Sequence, residues 1–235
     1  MNFFELINKR RSVRRFTDEE VPEIVIRKCL ESSILAANTS NIQPWEFYWV
    51  RNKDKKSKLV SACFSQNAAK TAKELIVAVS RIDTWKRNKN LIIQEYKTNN
   101  KLLPIIDKYY NKLIPLVYYH DYFGFSSIIK RIAYLPISII GLFKPVMRSP
   151  FSKQELFETV TKTTALACQN LMMALVAEGF DSCPMEGFDE KRVKKILKLN
   201  NKTHVVMVLG IGKADKKGVY GKRFRINNNL VIKEV

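Results

Sequence analysis

Apolar positions along the chain recur at spacings that name its elements. Residues 2–9 place Phe3, Phe4, Leu6 and Ile7 at helical intervals, which predicts a short amphipathic helix. Residues 22–37 predict a second helix with Ile26, Cys29, Leu30 and Ile34 on one face. Pro22 suits its first turn, where a missing N–H leaves no helical bond unmade. Residues 46–50 form an aromatic strand entered through Pro44, residues 54–63 a helix, and residues 67–73 a small helical turn. Residues 75–79 are continuously apolar, the pattern of a strand covered on both faces. Ser152 and Glu155 stand in the S-x-x-E spacing of a capping box. They open a long helix to about residue 178. Its second half, "ALACQNLMMALVAEGF", is apolar nearly all round and is expected to be buried on several sides. Gly179 supplies its end. "SCPMEGF" is expected to be a loop, Asp189 the cap of the next helix, and residues 203–211 a central strand.

Two stretches depart from this rhythm. Residues 84–150 are crowded with Tyr, Ile, Leu and Lys, and carry Pro104, Pro115, Pro136, Pro145 and Pro150. A helical insertion or lid is the first expectation. Its longest uncharged part, residues 132–143, falls short of the ~20 residues a spanning helix needs, and Pro136 and Gly141 interrupt it. The sharper alternative is peripheral membrane contact through an amphipathic 113–146 segment. The tail from residue 221 opens with "GKRFR" and closes with "LVIKEV", and is expected to be an arm that lies on something else.

The chain has 235 residues, 46% of them hydrophobic, which supports a proper core. Without a linker tract or fixed repeat, the expectation is one domain over residues 1–235 with its insertion at about 84–150. The start, "MNFFELINKRRS", lacks the apolar run of a secretory signal, so a cytoplasmic protein is expected. Cys29, Cys63, Cys168 and Cys183 form no CxxC pair and have no His at metal spacing. Reduced buried thiols and no metal site are expected. His120 and His204 sit among apolar or aromatic neighbours, which points to structural roles over a triad or zinc.

The net charge of +19 favours an anionic partner: nucleic acid, anionic membrane or a phosphorylated small molecule. Much of it lies in solvated stretches such as "DEKRVKKILK" and "KADKKG". A single-stranded nucleic-acid binder interleaves aromatics with Arg and Lys on one face. Here the basic motifs sit at turns and the aromatics concentrate in the insertion, which argues against nucleic acid.

Several short motifs are candidates for chemistry. In "KRRSVRRF", Arg10, Ser12 and Arg14 alternate, so an extended backbone points them one way. Guanidinium forks and a hydroxyl suit a phosphate. The plainer alternative is a basic helix end favoured by the helix dipole. Arg223 and Arg225 form a second basic pair in the tail, or an ordinary solvated one. Asn67 and Lys70, one helical turn apart, offer an amide and an ammonium to the edge of a planar heterocycle, or are plain helix surface. Pro184 stiffens the backbone and Gly187 permits close approach to a ligand, unless residues 184–187 are a simple turn. "TSNIQPWEF" places Thr39, Ser40, Asn41 and Gln43 before a stiff exit at Pro44 and Trp45, a frame suited to a polar, planar ligand.

In order, the chain thus carries an R-x-S-x-R turn, an N-x-Q-P-W loop, N-x-x-K before a strand, P-x-E-G after a long buried helix, and R-x-R near its end. This combination resembles the nitroreductase family of FMN-dependent oxidoreductases, over residues 1 to about 83 and about 155 to 235. It is most similar to the oxygen-insensitive nitroreductase and dihydropteridine reductase branch. The resemblance implies an α+β fold, a mixed β-sheet flanked by helices, and a homodimer that exchanges C-terminal arms and holds two FMN at its interface. It implies that Arg10, Arg11, Ser12 and Arg14 line the phosphate, ribityl and pyrimidine end of FMN, with Arg223 and Arg225 closing on the phosphate. Asn67 and Lys70 would meet the pyrimidine edge. Pro184, Met185, Glu186 and Gly187 would pass over the ring. Asn38, Thr39, Ser40, Asn41 and Gln43 of the second subunit would complete the pocket. Arg14, Lys70 and Glu186 are the implied catalytic residues, the first two by stabilising negative charge on a reduced flavin. NAD(P)H is the implied co-substrate, nitroaromatics and quinones the implied acceptors, and ping-pong the implied order. Dehydrogenase or dehalogenase chemistry on the same fold is the alternative. Ala37 stands where many members have Pro, and Asn38-Thr39 replaces a commoner Ser pair. Residues 84–150 match no motif, which leaves the substrate pocket more open than the flavin site.

Overall fold

Strand pairing decides which apolar runs become the centre of the protein. The computed structural model describes residues 2–121 and 125–235. Helix α1 spans Phe3–Lys9 and α2 Glu23–Ser33, followed by a 3₁₀ turn at Thr39–Asn41 and strand β1 at Trp45–Trp49. Helices α3 (Lys53–Ala62) and α4 (Asn67–Lys70) lead to β2 (Glu74–Arg81). The insertion then contains α5 (Trp85–Thr98), α6 (Pro104–Lys108), a π-helical turn (Tyr109–Leu113), α7 (Ile114–Tyr118) and α8 (Phe125–Ile140). Helix α9 (Lys153–Ala177), β3 (Asp181–Met185), α10 (Glu190–Leu197), β4 (Thr203–Gly212) and α11 (Asn228–Val231) complete the order.

The sheet runs β1-β2-β4-β3, and every neighbouring pair is antiparallel. Among the described residues, the parallel component of the expected mixed sheet is confined to one bridge, Ser12 with Ser182. Side chains alternate across the two central strands. Ile76, Ala78, Leu209 and Ile211 face α2 and α9, where they meet Ile26, Cys29, Leu171 and Leu175. Leu75, Val77, Val79 and Val208 face the other way, onto Leu59 of α3, Ala69 of α4 and Val193 of α10. A shift in register between Ala78 and Val79 gives β4 one extra residue, a bulge that puts Val206 and Met207 on the same side.

Local signals hold where they are chemical. The Glu155 N–H donates to Ser152 Oγ (3.1 Å) and the Ser152 N–H to Glu155 Oε2 (3.2 Å), closing the capping box of α9. Asp189 Oδ1 accepts from the Arg192 N–H at 3.1 Å and caps α10. Gly179 takes φ of 83° after the end of α9, the left-handed step that glycine makes at no steric cost. The four thiols are buried and unpaired, and burial pushes Cys29 and Cys63 up to about 11 and Cys168 up to about 12.

Other expectations shift. "SCPMEGF" is not simply a loop: its first part is β3, at the edge of the sheet. Pro184 sits opposite Leu209 and is tolerated because an edge strand does not need every N–H. Helix α2 stops at Ser33, so Ile34 lies beyond it and is exposed. Helix α1 forms with its own capping box but buries no residue, and Phe4 is 74% exposed. The insertion is helical and owns a small core of Trp85, Ile92, Ile93, Tyr110, Ile114 and Tyr118, docked on Leu156 and Val160 of α9.

One close approach fixes α4 against the sheet. A Cβ on Gly210 of β4 would stand 2.6 Å from the Ala68 carbonyl oxygen and 3.3 Å from Ala72 Cβ. Gly210→Val is therefore expected to lower stability by about 3 kcal/mol, since an overpacked backbone contact cannot relax cheaply. Urea denaturation checks this, and an unchanged midpoint would show that α4 can shift freely.

Candidate functional site

The site begins where α1 ends. The Arg10 N–H closes α1 on the Leu6 carbonyl (2.9 Å), and the chain then runs extended between two other segments. The Val13 N–H donates to Ser182 O (3.0 Å), the Arg14 N–H to Gly218 O (2.7 Å) and the Thr17 N–H to Lys213 O (2.8 Å). Val13 and Phe16 are buried, so Arg10, Ser12 and Arg14 are left to border a cavity. Gly218 permits this threading, because a Cβ there would lie 2.5 Å from Arg15 O.

Two adjoining cavities result. The smaller, about 250 Å³, is bordered by Arg10, Arg11, Ser12, Arg14, Lys222, Arg223 and Arg225, with no carboxylate among its lining residues. The larger, about 410 Å³, shares Ser12, Arg14 and Tyr220 with it and adds Gln66, Asn67, Cys183, Pro184, Met185 and Glu186. The first is cationic. The second has amide, thioether and pyrrolidine walls with one acid.

Backbone carbonyls hold the cations in place. Arg223 donates to Ile7 O (3.2 Å), Asn8 O (2.8 Å) and Arg10 O (2.5 Å), tying the C-terminal segment to the end of α1. A cation at that end also suits the helix dipole. Arg11 donates to Gly221 O (2.8 Å) and Arg225 to Phe224 O (2.7 Å). The Arg14 guanidinium lies 5.2 Å from the centroid of the Tyr220 ring. Burial, then Arg223, Arg225 and Arg11, pull Arg10 below the usual guanidinium value. Burial raises the Cys183 thiol, while Arg14 and Arg10 oppose that shift.

The remaining candidates divide. Gln66 donates to Gly187 O (2.7 Å) and joins the start of α4 to the segment after β3. Asn67 borders the larger cavity, whereas Lys70, one turn further along α4, is exposed and borders neither. Asn38, Thr39, Ser40, Asn41 and Gln43 are not brought to these cavities within one chain. Their loop is bound to the insertion instead. Ser40 Oγ lies 2.5 Å from the Tyr109 hydroxyl, the Tyr110 hydroxyl donates to Ser40 O (3.0 Å), and Asn88 Nδ2 donates to Ile42 O (2.8 Å). Ser40, Asn41 and Gln43 all have φ between 50° and 59°, and the Gln43 N–H is caught by Asn38 Oδ1 at 2.9 Å. Gln66, Tyr220 and Lys222 were not anticipated. Each directly neighbours a motif, and only packing shows that it faces the cavity.

Known proteins resemble this chain in sequence and fold. The family model described as Nitroreductase family matches residues 7–213, which stops short of Arg223 and Arg225. The oxygen-insensitive NADPH nitroreductase of Helicobacter pylori (strain J99) is 26% identical over 212 residues, covering 89% of this chain and 86% of the relative. Protein DrgA of Synechocystis is 25% identical over 217 residues, covering 91% and 84%. A nitroreductase family protein of Streptococcus pneumoniae TIGR4 superposes with a TM-score of 0.73 at 21% identity, covering all of both chains. A protein of Exiguobacterium sibiricum, described as a nitroreductase and solved in complex with FMN, gives 0.72 at 21% identity, covering 100% of this chain and 98% of its own.

An acid-free arginine cluster should take up a small polyanion. Pyrophosphate is expected to raise the melting temperature of the wild-type chain by several degrees through selective binding to the folded state. Arg225→Gln should lose most of that rise, because Arg225 borders the cavity and, among the described residues, its side chain hydrogen-bonds only the neighbouring Phe224 carbonyl. An equal rise in both proteins would put the anion elsewhere.

Proposed function

The chain belongs to the nitroreductase family, and from that premise we propose that it is an FMN-dependent oxidoreductase that oxidises NAD(P)H and reduces nitroaromatic, quinone or related acceptors. The observation that carries this is the joining of a carboxylate-free arginine cavity to a larger, mostly neutral one through Ser12, Arg14 and Tyr220. The donor set fits FMN. Guanidiniums and a serine hydroxyl match a phosphate monoester dianion, and the second cavity offers amides for the edge of a planar ring and apolar atoms for its face.

FMN, when bound, supplies the ring that accepts hydride and returns electrons. The residues of this chain bind and orient. Arg10, Arg11, Ser12, Arg223 and Arg225 hold the phosphate end. Asn67 takes the polar edge of the ring, and Lys70, which borders neither cavity, would reach that edge by extending its side chain along α4. Arg14, which borders both cavities, provides fixed positive charge, and preorganised charge is worth more in a site that excludes water. Pro184, Met185, Glu186 and Gly187 limit the approach to one face. Reductant and acceptor use the same opening in turn, a ping-pong order.

The proposed protein is a homodimer. Phe3 and Phe4 of α1, Leu35 after α2, Leu166 of α9 and Phe224 in the tail are all more than half exposed, an apolar surface spread beyond what a lone chain needs. A second copy would cover it and bring Asn38, Thr39, Ser40, Asn41 and Gln43 to the cavities that their own chain keeps from them. The C-terminal arm past residue 225, exposed throughout, would reach the other subunit.

The purified protein is expected to be yellow, to release FMN on denaturation, and to bleach with NADH or NADPH before an acceptor panel restores the colour. Arg225→Ala should shed flavin. Lys70→Ala should keep it and lose turnover by roughly a hundredfold. A colourless protein that takes up no FMN would overturn the proposal, and equal flavin loss in both variants would overturn the division of roles.

A further inference from the structure

Helix α8 is amphipathic the wrong way round for a helix of a globular core. At 3.6 residues per turn, Ile128, Ile129, Ile132, Leu135, Ile139 and Ile140 share an arc of about 140°. Every one of them is more than half exposed, and no residue of α8 is buried. The opposite arc is polar and faces the protein. Ser127 Oγ lies 3.3 Å from His120 Nδ1, and Lys130 Nζ donates to Tyr119 O (2.7 Å) and Val117 O (3.2 Å). Arg131 approaches Glu155 at 3.9 Å, and the Tyr134 ring lies 4.6 Å from that of Phe151. Polar contacts therefore anchor α8 and aim its aliphatic stripe outward. The stripe continues into Leu142 and Phe143, exposed by 77% and 84%.

We propose that this stripe is a docking surface for an anionic lipid bilayer, on which α8 lies in the interfacial plane. The charge pattern chooses the occupant. Residues 125–154 contain Lys130, Arg131, Lys144, Arg148 and Lys153 and no Asp or Glu. Lys144 and Arg148, just past the stripe, are exposed and pair with no carboxylate among the described residues. A second copy laid on the stripe would meet its own cations on a chain of net charge +19, whereas anionic headgroups neutralise them. Aliphatic burial and basic flanks together make the pair of signals that stable surface attachment needs. No helix among the described residues is long and apolar enough to cross a membrane, so α8 rests on the bilayer without spanning it. The inference is independent of the bound cofactor.

Flotation of the full chain with phosphatidylcholine vesicles, with and without phosphatidylglycerol, tests this. The wild-type chain is expected to float with the anionic vesicles and to stay behind with the neutral ones. The triple variant Ile128→Ser, Ile132→Ser, Leu135→Ser should partition roughly a hundredfold more weakly, since the lost aliphatic burial dominates attachment. Lys144→Gln with Arg148→Gln should weaken binding and its salt dependence. The triple variant should keep the wild-type elution volume in size exclusion and its reductase activity with a water-soluble acceptor, because the altered residues are exposed. Failure of the wild-type chain to float would overturn the proposal, as would undiminished flotation of the triple variant. A triple variant that floats normally but elutes as a smaller species would assign the stripe to a second copy.

Discussion

Five guanidiniums share the borders of one small cavity with no carboxylate among them, and the rest of the site is arranged around that crowding. Like charges this close repel; backbone carbonyls of residues 7, 8, 10, 221 and 224 accept hydrogen bonds from Arg11, Arg223 and Arg225, and the Tyr220 ring faces Arg14. Those carbonyls are themselves held. Arg223 ties the C-terminal segment to α1, and Val13 and Phe16 pin the intervening strand-like stretch into the core beside Ser182 and Ala214. The five guanidiniums border a cavity of about 250 Å³. The proposed phosphate monoester would meet that concentration of positive charge.

The sheet supplies the second half of the site. β3 borders the larger cavity through Cys183, Pro184 and Met185, and the missing side chain of Gly210 lets α4 lie directly on β4. That contact sets Gln66 and Asn67 opposite Pro184 and Met185, and the gap between them is the larger cavity. Two backbone devices, Gly210 and Gly218, therefore position nearly every group of the site. Far along the chain, the insertion binds the 38–43 loop and turns it away from these cavities.

Much of this was legible in order of residues. The capping box of α9, the Gly179 end, the central strands and the alternation of Arg10, Ser12 and Arg14 all follow from local chemistry that a short window contains. The convergence of residues 10–14 with 223–225 was carried by family resemblance, since nothing local links segments more than two hundred positions apart. β3 was missed because Pro184 weakens the strand signal, and edge position is a property of the whole sheet. Gln66 and Tyr220 carry no pattern of their own. The sequence offered an amphipathic 113–146 segment as an alternative, but did not show that the polar face of α8 looks inward. That orientation depends on His120, Glu155 and Phe151, which lie outside the helix.

The central claim is that the arginine cluster exists to hold a phosphate. Titration of the flavin-free chain with FMN and with riboflavin tests it directly, because the two ligands share the ring and differ in that one group. FMN is expected to bind about a thousandfold more tightly, the worth of two or so charge-assisted hydrogen bonds. Equal affinities would contradict the account.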